Sequence, residues 1–240
     1  MPRRTTTRQP VLERLVLPAL EEAGAEQLAA QDRHDGLRLV GADLTGADLT
    51  GATFTECELV DVTAHTTVLQ HARLLETRIE RLHAPVLDAT RSTWRDVELV
   101  GSRIGALDVY DAEIRSTRIT GTKFDWINLR SSTLEDVLFE DCTIDELDLG
   151  AVSATRVAFV NCRAGSVALS HARLEDVDLR GLEMRAISNL GPGGRDARHA
   201  AGHRPRPRPR RSPGPPRRGV SLGMLRTAVP AHHPDEGVTP

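Results

Sequence analysis

Aromatic residues make up only 3% of the 240-residue chain: four Phe, two Trp and one Tyr. So thin a supply excludes the wide, aromatic-filled core of an ordinary globular domain. Cysteine is as scarce. Cys57, Cys142 and Cys162 stand apart, with no Cys-x-x-Cys pair and no Cys/His spacing suited to a metal. They read as buried, reduced thiols serving as small apolar groups. No run approaches the roughly 18 apolar residues of a membrane-spanning helix. Arg3 and Arg4 precede a short apolar stretch, but Glu13, Arg14 and Pro18 interrupt it and make a poor signal-peptide core. A cytoplasmic protein is expected.

What the chain does have is a five-residue rule. From Leu39 to Met184, thirty consecutive positions spaced by five hold only Leu, Ile, Val, Phe, Met, Trp or Ala. A second column, two residues earlier, runs from Leu37 to Ile187 and holds only Ala, Cys, Ser, Thr, Val, Leu or Ile. All forty-one charged residues of 37–189 fall in the other three columns; chance gives roughly 10⁻⁹ for such sorting, so the two uncharged columns mark an interior. A helix repeats at about 3.6 and a simple strand at 2, so neither explains a period of five. Two inward positions separated by one outward residue describe a very short extended segment, and the remaining residues turn a corner. Gly41, Gly46, Gly51, Gly101, Gly121 and Gly181 lie at that corner, where special backbone angles are expected. Pro85, the one proline of the repeat, sits beside a corner and need not break a ladder.

A longer period lies over the short one. Every twentieth inward residue from Ala52 reads Ala, Ala, Ser, Ala, Ser, Val, Ala, beside mostly large centres. Another wall holds Leu87, Leu107, Ile127, Leu147, Val167 and Ile187. Four unlike walls per twenty residues follow. At the Ala centres Ala64, Ala84, Ala89 and Ala154 the preceding inward residue is Val62, Leu82, Leu87 or Val152, the compensation expected of close packing. Cys142 and Cys162, twenty apart, should stack as reduced neighbours, and Trp94 should lie in the core.

The repeated Gly-Ala-Asp-Leu-Thr of 41–45 and 46–50 resembles the pentapeptide-repeat family. The resemblance covers residues 37–189. It implies an all-β fold, a right-handed, four-sided parallel β-helix of nearly eight coils, roughly 35–38 Å long at about 4.8 Å per coil. It also implies a function class, since some members mimic DNA, bind type II topoisomerases and confer quinolone resistance. Those gyrase-binding members end in a C-terminal dimerising helix, and none is evident after residue 190.

Residues 1–36 form the first of three expected regions. Residues 1–10 read as disordered. Glu21–Ala30 is Ala- and Glu-rich and predicts a short helix that caps the first coil. Residues 190–240 form the third. They carry ten Arg and three acids, against sixteen Lys/Arg and twenty-five acids in 37–189. The run His203–Arg211 alternates Arg and Pro and cannot build a core. It reads as a disordered tail, as the product of a shifted frame in GC-rich DNA, or as a nucleic-acid-binding segment.

Functional candidates lie on the outside of the rod. One column at twenty-residue spacing holds Glu56, Glu76, Asp96, Asp136 and Asp176, with Ser116 and Arg156 between them. Another holds Asp48, Asp88, Asp108 and Asp148. Stacked like charges cost stability, so these columns are candidate partner-binding surfaces, and one form of that reading is imitation of DNA phosphates. A third column, Arg38, Glu58, Arg78, Glu98 and Arg118, alternates in sign and predicts a ladder of surface ion pairs. Tyr110 and Trp126 are outward and offer an aromatic contact patch. His65, His71, His83 and His171 point outward without a paired nucleophile, and Gly191–Gly194 lacks the Lys-Ser/Thr of a phosphate loop. The expected function is therefore a non-enzymatic scaffold, without cofactor or metal, that binds a protein partner. The alternative is a topoisomerase inhibitor or protector. A third reading is nucleic-acid binding through the tail.

Overall fold

The structure, a computed structural model, describes residues 7–188. Residues 190–240, with their Arg-Pro run, lie outside the described residues. The described chain is a parallel β-solenoid of about eight coils, in two sheets of thirteen and seven strands. The register is set by sequence distance. Leu39 pairs with Leu59, Leu59 with Ile79, Ile79 with Leu99 and Leu99 with Ile119, each step being one coil. No helix of the described residues is long and apolar enough to cross a membrane.

The ladder satisfies the backbone. Arg73 N donates to Ala52 O at 2.8 Å, Thr93 N to Ala72 O at 2.9 Å and Glu113 N to Ser92 O at 2.9 Å. Inward, the two uncharged columns form one core, in which Phe54, Leu99, Ile104, Phe124 and Leu134 are at most 1% exposed. Trp94 is buried, and its indole N–H donates to Ser92 Oγ at 2.9 Å. Phe139 and Phe159 stack at 4.8 Å in successive coils.

Hydroxyls and thiols of the inner column are satisfied by backbone. Thr67 donates to Leu44 O at 2.7 Å and Ser132 to Val109 O at 2.7 Å. The same column accepts: Leu82 N–H points at Ser102 Oγ, Ser102 N–H at Thr122 Oγ1 and Cys142 N–H at Cys162 Sγ, at 3.0, 3.3 and 3.4 Å. All three cysteines are free and buried. The adjacent Cys162 sulfur, and then burial, push the Cys142 thiol up.

Three of the four corners turn through left-handed backbone two residues after a centre, at φ between 46 and 67°. Non-glycine residues hold most of these positions, among them Arg91 (φ 55°), Asp111 (φ 56°) and Ala151 (φ 54°). The fourth corner differs from expectation. Beyond Thr66 its backbone stays extended, so single strands such as His83–Asp88, Arg103–Asp108 and Lys123–Asn128 cross it without a break. Pro85 lies inside the first of these strands, and the ladder continues on both sides of it. Gly181 also departs from the expected left-handed corner. A Cβ there would meet Phe159 O at 2.1 Å, so this glycine answers to close backbone approach.

The N-terminal region corrects two expectations. No cap helix forms over Glu21–Ala30. Glu21–Glu22 is a strand paired with Leu37–Val40, and Ala25–Gln27 is a single 3-10 turn. Gly24 interrupts the run, and strand pairing satisfies more backbone than a ten-residue helix of marginal intrinsic stability would. The end of the core is nevertheless covered, by Ala23, Ala25 and Leu28. The expected disorder of residues 1–10 also fails for residues 8 and 9, which contact the far end of the rod. The ladder already includes Arg33–Asp35, paired with Thr53–Thr55. There His34 occupies a centre position, 5% exposed and packed on Phe54 at 5.0 Å, with Nε2 lacking a hydrogen-bond partner.

Two substitutions test this account. Around Gly121 (φ 60°) the nearest atom to an added Cβ is 4.0 Å away, so only backbone strain opposes a side chain. Gly121→Val should cost about 1–2 kcal/mol and Gly121→Asn clearly less, by denaturant midpoint. His34→Leu removes a buried orphan polar atom and should raise stability by about 1–2 kcal/mol in the same measurement.

Candidate functional site

The twenty-residue register stacks each outward column into a row along the rod. Glu56, Glu76, Asp96, Asp136 and Asp176 occupy one left-handed corner, at φ 48–56°. Left-handed backbone tolerates Asp better than most residues, so turn geometry explains part of the row's composition. All five side chains are half-buried. Arg156, in the same row, donates to both Asp136 carboxylate oxygens at 2.6 Å and to Glu135 at 2.8 Å. The Arg156 guanidinium holds the Asp136 carboxyl below the usual carboxylate range against partial burial, and the Val11 N–H adds to the effect.

That N–H belongs to a segment the sequence reading missed. Residues 7–20 have no regular secondary structure and lie along this corner. Arg8 contacts Asp176 through both its backbone N–H and its guanidinium, and donates to Glu175 at 3.0 Å. Gln9 reaches Asp178 at 3.4 Å, Val11 N donates to Asp136 at 2.9 Å, and Arg78 donates to Leu15 O at 3.3 Å. Leu12, Leu15, Leu17 and Leu20 are half-buried, while Val11 and Val16 are 69% and 78% exposed. Leu12–Val16, with Glu76, Asp96, Glu98, Ser116 and Arg118, line an open recess. The usable signal was this segment's alternation of Leu with polar residues behind Arg8, which a short strand shares with a strap.

The second acidic row has a different local role. One oxygen of Asp48 accepts the Thr50 N–H at 2.9 Å, Asp88 that of Thr90 at 3.1 Å, Asp108 that of Tyr110 at 3.0 Å and Asp148 that of Gly150 at 2.8 Å. These are side-chain-closed turns, each preceding a corner. Asn128, in the same row, does the same for Arg130 at 3.1 Å and also donates to Asp108 at 2.9 Å. The Thr50 hydroxyl and N–H hold the Asp48 carboxyl down, and Thr45 does so for Asp43. Arg180 lowers Asp178 to about 2.

The alternating column pairs as expected from Arg38 to Glu98: Arg38–Glu58 at 2.9 Å, Arg78–Glu58 at 3.7 Å and Arg78–Glu98 at 3.0 Å. Trp126 sits at the fourth corner, and Tyr110 at the far edge of the wall that follows it, just before the corner at Asp111. Trp126 stacks over Ala106, four residues from Tyr110 and one coil along. Tyr110 is 39% exposed and Trp126 half-buried. His65, His71, His83 and His171 are exposed.

Comparison with known proteins bears on the repeat. Residues 38–74 match the family model for pentapeptide repeats, in eight copies. Among solved structures, one similar chain is HetL, a pentapeptide repeat protein involved in heterocyst differentiation regulation from the cyanobacterium Nostoc sp. strain PCC 7120. It is 17% identical, with 71% of this chain and 94% of that chain covered and a TM-score of 0.41. Another is trypsin-treated QnrB1, a plasmid-mediated fluoroquinolone resistance protein, at 14% identity, 71% and 91% coverage and a TM-score of 0.35. A search of curated protein sequences finds no match.

The depressed carboxyls predict a fold that loses stability in acid. Asp43, Asp48, Asp61, Asp136, Asp176 and Asp178 all sit below their unfolded value of 3.8. Within that gap the unfolded chain binds more protons than the folded one, so stability is intact above about pH 4 and falls as pH drops, Asp178 titrating at about 2. A melting-temperature series from pH 7 to 2.5 should be flat down to about pH 4.5 and then decline. Asp48→Asn, which keeps the turn acceptor as Asn128 does, should shallow the decline, whereas Asp48→Ala should lower the melting temperature at every pH.

Proposed function

We propose that this chain, built of pentapeptide repeats, is a non-enzymatic scaffold that binds a protein partner through its exposed rows. The observation that carries the reading is the stacking of the corner carboxylates: five of the seven positions from Glu56 to Asp176 are acids, in coils about 4.8 Å apart, along one edge. Such an array suits an extended macromolecular surface better than a small molecule, which is held by concave, mostly apolar walls with a few convergent polar groups. A cytoplasmic setting accords with three free thiols.

A second reading, a DNA-mimicking inhibitor or protector of a type II topoisomerase, is favoured by the same acidic row. It ranks lower because Arg156, Arg8 and Arg95 already pair with three of that row's five carboxylates. Direct nucleic-acid binding would rest on residues 190–240 alone.

Affinity capture from the source cell should use the full chain beside a Glu56→Lys, Glu76→Lys, Asp96→Lys variant of unchanged circular dichroism. A protein retained by the first and depleted at least tenfold by the second is expected; equal retention defeats the acidic-row reading. In parallel, a supercoiling assay with purified gyrase that shows no effect at micromolar protein removes the topoisomerase reading.

A further inference from the structure

The segment 7–20 is held in a way that makes it separable from the rod. Its anchor points run backwards along the coils. Arg8 meets Asp176, Val11 meets Asp136, Leu15 meets Arg78, and Glu21 enters the ladder beside Leu37. From Asp176 to Asp136 is two coils, about 10 Å, and the three residues from Arg8 to Val11 span about 10 Å only when extended. From Asp136 to Arg78 is close to three coils, about 14 Å, which the four residues from Val11 to Leu15 again cover only when extended. The segment therefore runs taut and parallel to the rod axis.

Taut is not tight. No residue of 7–20 belongs to a strand or pairs in a ladder. Its far end rests on Arg8, whose side chain is 63% exposed in both of its ion pairs; exposed pairs of this kind are individually weak and screened by salt. Four leucines turn half towards the rod while Val11 and Val16 face solvent. At its other end it continues into Glu21–Glu22, which is in the sheet. It is a strap with one firm end and one labile clasp, lying over the acidic corner.

We propose that residues 7–20 are a releasable cover, and that the face beneath them docks an extended partner segment of the same chemistry: an arginine followed by leucines spaced along a stretched backbone. This deepens the scaffold reading above and rests on it, naming the face and the kind of partner. The covering segment shows what the face accepts. A guanidinium sits at Asp176 and Glu175, a backbone N–H is received at Asp136, a carbonyl is met by Arg78, and apolar side chains lie between the rows. A partner segment must displace the cover, which is present at a high effective concentration because it is tethered.

The test uses the full chain, its Arg8→Glu variant, and a fluorescent peptide of residues 7–20 as the probe. Reversing the clasp charge should free the strap, so trypsin cleavage after Arg14 should quicken about tenfold in Arg8→Glu. The peptide should then bind Arg8→Glu at least tenfold more tightly than wild type, by fluorescence anisotropy. A second change, Asp176→Lys, should abolish that gain. An unchanged cleavage rate overturns the clasp. Faster cleavage with equal or no peptide binding overturns the shared docking face. Either failure leaves the scaffold reading standing if capture by the full chain still depends on Glu56, Glu76 and Asp96, so the two ideas fail separately.

Discussion

The parallel ladder between coils, in a register of twenty residues, is the constraint from which the rest of this molecule follows. Once Leu59 must pair with Leu39 and with Ile79, each position on the outline of the rod is occupied by a column of residues twenty apart. Inward columns have to be small or apolar because neighbouring coils leave no water between them. Corner columns have to accept left-handed backbone at three of four turns. Outward columns bring like side chains within one strand spacing, about 4.8 Å, whether or not their charges agree. A five-residue motif is the visible form of that requirement.

Like charges at that spacing repel, and the chain answers differently on each row. On the row of Asp48, Asp88, Asp108 and Asp148, each carboxylate turns one oxygen to a backbone N–H two residues on, and Asn128 shows that an amide serves as well. The row of Arg38 to Glu98 alternates sign. The corner row of Glu56 to Asp176 has neither device throughout. It is relieved by Arg156 from within the row, by Arg95 beside Asp96 and by Arg8 from elsewhere in the chain. The electrostatics of this one corner therefore depend on a segment that contributes nothing to the ladder.

Much of the fold could be read from the residues, since one periodicity governs both interior columns. The inward seats of Trp94, Cys142 and Cys162 followed from register alone. What escaped the reading lacked the period. His34 breaks the apolar rule at a centre, so the coil of Arg33–Asp35 stayed hidden behind a polar residue. The fourth corner has ordinary side chains at Val86, Ala106 and Trp126 and an extended backbone, and a twofold or fivefold pattern cannot tell that corner from its neighbours. Among the candidate site residues, column membership was legible and local role was not. A turn carboxylate such as Asp108 and a corner carboxylate such as Asp136 are the same letter at the same spacing, and only hydrogen-bond geometry separates them.

The strap lay furthest from view because its partners are 63 to 169 residues away in sequence. It is also the element whose loss would disturb the fold least. A solenoid's stability is close to a sum of coil and neighbour terms, with its ends as the exceptions. At the N-terminal end that exception is met by Ala23, Ala25 and Leu28, which cover the core, and by Glu21–Glu22, which pairs with Leu37–Arg38 at a distance of sixteen residues instead of twenty. The cap is thus complete without residues 7–20. A segment that neither caps the core nor enters the ladder, yet crosses several coils to reach Asp176, has its main physical consequence at the surface it covers. That consequence is selective. Among the described residues, its hydrogen bonds go to Asp176 and Asp136 of the corner row and to none of Asp48, Asp88, Asp108 or Asp148.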